Sequence, residues 1–283
     1  MTILEFKKYF KDELSDIYSE SEASFLYSIF VEKILDVDTF NQRRISHHQL
    51  LNEDEKKLHQ AILELKTQKP YQQILGETYF YGMKFFVNEN VLIPRPETEE
   101  LLEIAIQKIQ ASSINSKHLN ILDIGTGSGV IPLTLKKYFP NAKISTIDFS
   151  EKALEVAKKN ASLHKLSINF MYADYLSFEL EEYYDIIISN PPYIGINEKN
   201  EITDSVKEFE PQMALFSPTP DPLIFYKKIA EDCKKKLKKP GFLFLEINQK
   251  LGPETLALYK DLSKNTSLLQ DLSQNDRFVV VEH

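Results

Sequence analysis

The chain has 283 residues, which suggests about two domains, and 42% hydrophobic residues are enough for a buried core. Acidic residues outnumber basic ones 42 to 34, so the net charge is −8 and no global positive field attracts nucleic acid. The single cysteine, Cys233, excludes an internal disulfide framework and fits a reducing compartment. No apolar stretch approaches the length of a membrane span, so we expect a cytoplasmic protein that does not bind membranes.

Residues 1 to about 75 are predicted to form a helical domain. Apolar residues recur at helical spacing, for example at Leu58, Ile62 and Leu65, and Asn52 before three acidic residues indicates a helix start. A packing role alone would explain this module. We favour a role in substrate recognition, because a domain of this size must contact something.

Residues 76–93 are rich in aromatics and contain two glycines, which predicts a β-hairpin linking the two domains. Pro94 and Pro96 then force an extended chain. The acidic residues from Glu97 to Glu100 form the first turn of a helix that runs to about Ile109. A polar linker is predicted over 111–117.

Strand and helix patterns alternate from 119 onward, which predicts a parallel sheet with helices on both faces. The predicted strands are 119–124, 143–148, 167–172, 184–189 and 241–247, and the predicted helices are 130–139, 151–163, 221–238 and 253–264. Two more strands, 267–272 and 277–282, are joined by only four residues and must be antiparallel. The predicted class is therefore α/β, with a Rossmann-like sheet that carries an antiparallel C-terminal pair and a small helical N-terminal domain.

A glycine-rich loop follows the first of these strands and opens a helix. Its spacing is G-x-G-x-G, unlike the G-x-G-x-x-G of dinucleotide sites, in Gly125, Thr126, Gly127, Ser128 and Gly129. Asp123, two residues before the loop, offers a carboxylate that we expect to point towards it. A carboxylate suits a cationic or amine-bearing ligand and disfavours a pyrophosphate.

Two more acidic residues stand at the ends of the next strands. Asp148 ends the second strand, where a carboxylate accepts both hydroxyls of a ribose. Asp174, beside Tyr175, follows the third strand and suits the amino group and ring face of adenine. Together they predict a pocket for S-adenosylmethionine. The alternative is that Asp148 caps the helix at Ser150 and Asp174 only turns the chain.

The tetrapeptide Asn190-Pro191-Pro192-Tyr193 leaves the apolar strand 185–189, at the sheet edge where α/β proteins bind ligands. Asn190 offers a carboxamide oxygen, the prolines hold the chain stiff with free carbonyls, and Tyr193 adds a flat face. Such a site accepts hydrogen bonds from a planar amino group and stacks on it. The alternative is an ordinary Pro-rich turn.

With these residues the chain resembles a class I methyltransferase, and more narrowly the HemK/PrmC family of peptide chain release factor glutamine methyltransferases. The resemblance covers nearly the whole chain and rests on Ile93–Glu99, Asp123–Gly129, Asn190–Tyr193, Phe209-Glu210-Pro211 with Ala214-Leu215, and Asn275-Asp276-Arg277. The tetrapeptide alone is shared with adenine and cytosine amino-methyltransferases. The Ile-Pro-Arg-Pro and Phe-Glu-Pro segments are more specific to this family.

The resemblance implies a protein-(glutamine) N-methyltransferase that uses S-adenosylmethionine and releases S-adenosylhomocysteine. Its substrate would be the Gly-Gly-Gln glutamine of class 1 release factors, with domain 1–75 helping to grip the factor and domain 94–283 catalysing the transfer. The implied catalytic residues are Asn190, Pro191 and Tyr193, and Asn190, Pro191, Pro192 and Tyr193 would bind the substrate. The implied cofactor-binding residues are Gly125, Thr126, Gly127, Ser128, Gly129, Asp148, Asp174, Tyr175 and Asn190.

We expect a monomer, with no metal site and no stable binding of nucleic acid. Tyr175 stands where family members often carry Trp, which leaves the adenine contact less defined. Two alternatives remain from the sequence: an adenine or cytosine amino-methyltransferase acting on DNA or RNA, and a cofactor-binding regulator that has lost catalysis.

Overall fold

A computed structural model describes residues 1–114 and 118–283 of the chain. Its internal contacts divide the chain into two units, Met1–Glu77 and Thr78–His283. The last three residues of the polar linker predicted over 111–117 lie outside the described residues.

The first unit is helical, which confirms the character predicted for residues 1–75. Its helices are α1 (Ile3–Leu14), α2 (Glu20–Leu35), α3 (Thr39–Arg44), α4 (Asn52–Lys66) and α5 (Tyr71–Leu75). Reciprocal capping boxes at Thr2 and Ser19 begin α1 and α2. Asn52 is the first helical residue of α4 and not its cap. Apolar side chains from α1, α2 and α4 fill the core of this unit.

Two short strands, β1 (Glu77–Phe80) and β2 (Met83–Phe86), form the two-stranded sheet predicted within 76–93. Tyr81 and Gly82 connect them with φ of 50° and 68°. Positive φ at both central residues is the geometry of a type I′ hairpin turn, which matches the twist of the strands that it joins.

The second unit is built on a seven-stranded sheet in the order β5-β4-β3-β6-β7-β9-β8. Its strands are β3 (Asn120–Ile124), β4 (Lys143–Asp148), β5 (Asn169–Tyr172), β6 (Tyr184–Ser189), β7 (Leu237–Glu246), β8 (Asn265–Gln270) and β9 (Asp276–Glu282). The first five are parallel, and β9 runs antiparallel between β7 and β8. The predicted α/β class with an antiparallel C-terminal pair is confirmed.

Helices pack on both faces of this sheet, so its central strands are buried on both sides. The helices of this unit are α6 (Pro96–Ala111), α7 (Val130–Tyr138), α8 (Glu151–His164), α9 (Asp204–Phe209), α10 (Gln212–Leu215), α11 (Ile224–Lys236) and α12 (Gly252–Ala257). Ile121 of β3 packs in one core with residues of α6 and α7, whereas its neighbour Leu122 packs in a second core with residues of α11. Alternate strand residues point to opposite faces, so one apolar strand supplies both cores.

Two boundaries differ from the prediction by four residues or more. β7 begins at Leu237 and not at 241, because Leu237 already pairs with Tyr184 before a shift in register. The helix predicted over 253–264 ends at Ala257. Beyond it, tight turns bring Tyr259 inward, where it is fully buried and donates a hydrogen bond to the Tyr226 carbonyl at 2.8 Å. Across the described ranges, every helix is too short or too polar to cross a membrane.

Candidate active site

A cavity of about 580 Å³ opens at the carboxyl ends of β3, β4, β5 and β6, within the second unit. This volume lies in the range of small-molecule sites. Its wall is formed by residues of five segments: 90–98, 124–131, 147–153, 173–176 and 190–192, with further residues from 199 to 225. Ile124 is paired with Ser189 across β3 and β6, so the glycine loop and the tetrapeptide leave the sheet side by side.

The glycine loop supplies backbone to the cavity wall. The residues Gly125, Thr126, Gly127 and Ser128 line it. Gly127 has a backbone φ of 54°, which residues with a side chain rarely adopt. Gly129, which was predicted to contact the cofactor, is not among the residues that line the cavity. Its φ is 86°, and a Cβ there would lie 3.2 Å from Cβ of Ala157. Gly129 therefore allows α7 to pack closely on α8.

Asp148 joins the glycine loop to the start of α8. Its two carboxylate oxygens accept the backbone N–H of Gly127 at 2.9 Å and that of Ser150 at 2.8 Å. Burial raises the pKa of the Asp148 carboxyl, and these two backbone donors oppose the rise. Asp148 lines the cavity, and each of its oxygens has a further lone pair. The Asp148 side chain can thus cap the start of α8 and still accept hydrogen bonds from a ligand. The two roles considered from the sequence, helix capping and ribose binding, are therefore compatible.

The aromatic surface beside Asp148 comes from a residue that the sequence analysis did not single out. Phe149 lines the cavity and is 57% exposed. Tyr175 contributes to the wall but is only 4% exposed, and its hydroxyl donates to Asp232 of α11 at 2.7 Å. Asp174 lines the cavity and also accepts the backbone N–H of Leu176 at 3.1 Å. The position of Phe149 directly after a strand-ending acid was the available signal.

The tetrapeptide contributes three of its four residues to the wall: Asn190, Pro191 and Pro192. Tyr193, which was predicted to bind the substrate, is not among the residues that line the cavity. Its hydroxyl donates to Glu246 at 3.4 Å, and its carbonyl accepts from Asn248 at 3.3 Å. Burial raises the pKa of the Tyr193 phenol. Tyr193 therefore supports the wall from behind.

Asn190 is held by a chain of side-chain hydrogen bonds. Its Nδ2 donates to Oγ1 of Thr98 at 3.2 Å, and Oγ1 of Thr98 donates to Oε2 of Glu246 at 2.7 Å. Thr98 lies on α6 and Glu246 ends β7, so residues far apart in the chain meet at the end of β6. Neither Glu246 nor Thr98 was among the site residues predicted from the sequence.

Asp123 does not face the cavity, although the sequence analysis expected its carboxylate to point towards the glycine loop. It is fully buried, and Oδ2 accepts from Oγ1 of Thr146 at 2.6 Å. Thr146 in turn is hydrogen-bonded to Thr126 of the loop. Oδ1 has no partner in the described part of the chain. Burial raises the pKa of Asp123 to about 7. Asp123 therefore acts on the loop only through the two threonines.

The two proline-containing segments are joined by one carboxylate. Glu210, which is buried, accepts the backbone N–H of Ile93 at 2.9 Å and Nη2 of Arg95 at 2.5 Å. Pro94 and Pro211 then form adjoining parts of the cavity wall. Both segments were singled out from the sequence, but nothing in either one indicated that Glu210 would bind the other.

Comparisons with known proteins agree with this geometry. A family model described as "Methyltransferase small domain" matches residues 103–209. The chain is 44% identical over 289 aligned positions to the release factor glutamine methyltransferase of Flavobacterium psychrophilum, covering 99% of each chain. It is 35% identical to the enzyme of that name from Bacteroides thetaiotaomicron, covering 96% of each.

Among solved structures, the crystal structure of the hMettl16 catalytic domain in complex with MAT2A 3'UTR hairpin 6 has a TM-score of 0.53 and 16% sequence identity. The similarity covers 82% of each chain. At this identity the comparison shows a shared fold and nothing about the substrate.

Proposed function

We propose, from the premise that this chain belongs to the release factor glutamine methyltransferase family, that it transfers a methyl group from S-adenosylmethionine to a glutamine side-chain nitrogen of a release factor. The observation that carries the proposal is the register of Ile124 with Ser189, which places the glycine loop beside Asn190. A donor site and an amide-acceptor site then share one cavity. The finer target that we propose is the Gly-Gly-Gln glutamine of class 1 release factors.

The cavity residues fit S-adenosylmethionine. Asp148 presents free carboxylate lone pairs where a ribose would bind, and Phe149 offers an exposed ring beside it. The backbone of the loop from Gly125 to Ser128 allows close approach to the methionine portion. Asp174 and the buried Tyr175 complete this side of the wall. When bound, the donor supplies an electrophilic methyl group on a sulfonium sulfur.

Asn190 and Pro191 supply the acceptors for the substrate amide. An amide nitrogen is a poor nucleophile because its lone pair is delocalised into the carbonyl. Alignment is therefore the main contribution of the enzyme, and orientation of this kind lowers a barrier by several kcal/mol, up to about 7–11 kcal/mol in well-oriented systems. We propose that Asn190 Oδ1 and the Pro191 carbonyl each accept one N–H of the glutamine amide. Neither group takes up a proton, so the amide proton leaves to solvent.

The wall held by Glu210 positions the substrate backbone and limits water. Arg95 and Pro211 lie on it, with Met213 49% exposed beside them. An extended loop that carries a glutamine can pack against such a largely apolar wall. Pro192 packs beside the amide, and Tyr193 acts from behind through Glu246.

We also propose that three segments of the chain have the roles expected from the sequence. Residues 1–75 help to grip the release factor, 76–93 link the two parts, and 94–283 carry out methyl transfer. The protein acts as a monomer in the cytoplasm, where release factors work, and without stable nucleic-acid binding. The tetrapeptide also occurs in adenine and cytosine amino-methyltransferases, which is the basis of the amino-methyltransferase alternative. Both relatives named above, however, carry the name release factor glutamine methyltransferase.

One assay tests the function. Labelled S-adenosylmethionine is offered with a class 1 release factor, with duplex DNA and with tRNA. We expect label in the tryptic peptide that contains Gly-Gly-Gln. Label confined to nucleic acid would overturn the proposal.

The site is tested by Asn190→Ala, with Asn265→Ala on the exposed surface of β8 as the matched control. We expect turnover of Asn190→Ala to collapse to a residual rate that single-turnover assays detect, while S-adenosylhomocysteine still binds. Asn265→Ala should behave as wild type. Full activity of Asn190→Ala would refute the assignment of the acceptor.

A further inference from the structure

We infer that Glu246 and Thr98 are positioning residues that determine which end of the Asn190 carboxamide faces the substrate. The inference rests on the proposed function, because it concerns how Asn190 comes to present an acceptor. Asn190 has an oxygen and an NH2 group of nearly the same shape, and only the oxygen accepts an N–H from a glutamine amide.

The three residues form one buried chain of hydrogen bonds. Glu246 is 2% exposed and Thr98 is 3% exposed, so water does not compete for their polar atoms. Oγ1 of Thr98 lies 2.7 Å from Oε2 of Glu246 and 3.2 Å from Nδ2 of Asn190. Asn190 itself lines the cavity. The hydroxyl of Thr98 is therefore the link between a buried acid and the cavity surface.

The protons available to Thr98 and Glu246 determine which group donates in each hydrogen bond. An ionised carboxylate has no proton to give, so Thr98 must donate its single hydroxyl proton to Glu246. Its oxygen can then only accept from Asn190, and the group that donates is the NH2. Because Nδ2 is turned towards Thr98, Oδ1 is left for the cavity side.

Protonation of Glu246 removes this constraint. A neutral carboxylic acid can donate to Thr98, and the hydroxyl is then free to donate to Oδ1 of Asn190. In that arrangement the carboxamide is reversed and presents NH2 to the substrate. Two N–H groups facing each other do not hydrogen-bond, so the reversed state cannot align the amide.

The surroundings of Glu246 place this switch near neutral pH. Burial raises the pKa of Glu246 to about 7, opposed by the bond from Thr98, the positive charge of Arg277 and the Tyr193 hydroxyl. Glu97 raises it further by repulsion. Tyr226 donates to the backbone carbonyl of Glu246 at 3.0 Å and does not touch the carboxylate. Ionised Glu246 prevails above this pH, so we expect kcat to fall as pH falls through about 7.

The test compares Thr98→Val, which keeps the shape without the hydroxyl, with Thr98→Ser, which keeps the hydroxyl. Losing one buried hydrogen bond that aligns the Asn190 carboxamide should lower kcat by about tenfold. We expect Thr98→Val to lose at least about tenfold in kcat, with the KM for release factor and the Kd for S-adenosylhomocysteine nearly unchanged. Thr98→Ser should retain most of the activity. A purely structural role would instead affect binding and thermal stability together.

The pH profile gives a second, independent measurement. Glu246→Gln keeps the shape but cannot ionise, so we expect a lower kcat without the fall below pH 7. Asp123→Asn is the matched control, because burial also raises the pKa of Asp123 to about 7 but Asp123 lies outside this chain of bonds. Its profile should keep the fall. A fall that persists in Glu246→Gln, or one that is lost in Asp123→Asn, would overturn the inference.

A double variant separates the failure of this inference from failure of the proposed function. We expect Thr98→Val to cause no further loss in single-turnover rate when Asn190 is already alanine, since Thr98 acts through Asn190. An additional loss there, or equal activity of Thr98→Val and wild type, overturns the positioning role alone. Full activity of Asn190→Ala overturns the proposed acceptor site itself.

Discussion

Glu210 offers the sharpest test of how the substrate wall is built, because one buried carboxylate holds two segments 115 residues apart. In Glu210→Ala, the buried N–H of Ile93 loses its acceptor, which costs about 1–3 kcal/mol. The side chain of Arg95 is 33% exposed and can turn to water, so its loss adds at most about 1 kcal/mol. The local cost of Glu210→Ala is therefore about 1–4 kcal/mol.

Removing the other partner should do more damage. The Glu210 side chain is only 1% exposed, so Arg95→Ala leaves a buried carboxylate without its cation. Such an uncompensated charge costs about 3–5 kcal/mol. We therefore expect Arg95→Ala to loosen the wall more than Glu210→Ala, and the double variant to lose less than the sum of the two.

Hydrogen exchange at the Ile93 amide measures this directly. A cost of about 1–4 kcal/mol corresponds to a fall in protection of roughly fivefold to almost a thousandfold, up to the limit set by global unfolding. kcat/KM for release factor should fall in the same order of variants, with Glu208→Ala, at an exposed position of α9, as a control. Unchanged protection of Ile93 in Glu210→Ala, or a smaller effect of Arg95→Ala than of Glu210→Ala, would refute the reasoning.

Two further outcomes follow from the site. Phe149→Ala removes the exposed ring beside Asp148, and we expect the Kd for S-adenosylhomocysteine to rise about tenfold, corresponding to part of the 1.5–3 kcal/mol of a buried aromatic side chain. Phe40→Ala, at a ring that is 72% exposed in the first unit, should leave that Kd unchanged, and equal effects would contradict the assignment. Asp123 has a raised pKa when folded, so it favours the folded state below its ordinary pKa of 3.8, and this contribution is lost as pH rises through about 7. Asp123→Asn should therefore flatten the fall in Tm between pH 5 and pH 8, and an unchanged slope would show that Asp123 is already ionised.

The glycine loop shows why some site residues were predictable. Spacing of glycines after an apolar strand is a local property, and the loop from Gly125 to Ser128 does line the cavity. Gly129 belongs to the same motif but serves helix packing, because its neighbour across the contact is Ala157 of α8. A sequence motif therefore indicates where a site lies more reliably than it indicates which of its residues line that site.

Side-chain direction was the part that the pattern could not supply. The carboxylate of Asp123 and the phenol of Tyr193 were both expected at the site. Their polar atoms instead form hydrogen bonds to Thr146 and Glu246, respectively, and neither residue lines the cavity. Sequence shows which groups stand near a strand end. Which of two faces they take depends on neighbours that arrive from other parts of the chain.

The sequence by itself determined the kind and order of elements, since strand and helix periods and turn residues are local, and it carried the family motifs at residues 93–99, 123–129 and 190–193. Only the tertiary structure decided which of those motifs meet. The parallel register of β3 with β6 set the loop beside Asn190, and the packing of α6 against β7 brought Thr98 to Glu246. Those contacts join residues far apart in the chain, and they form because buried polar groups must find partners wherever the fold places them.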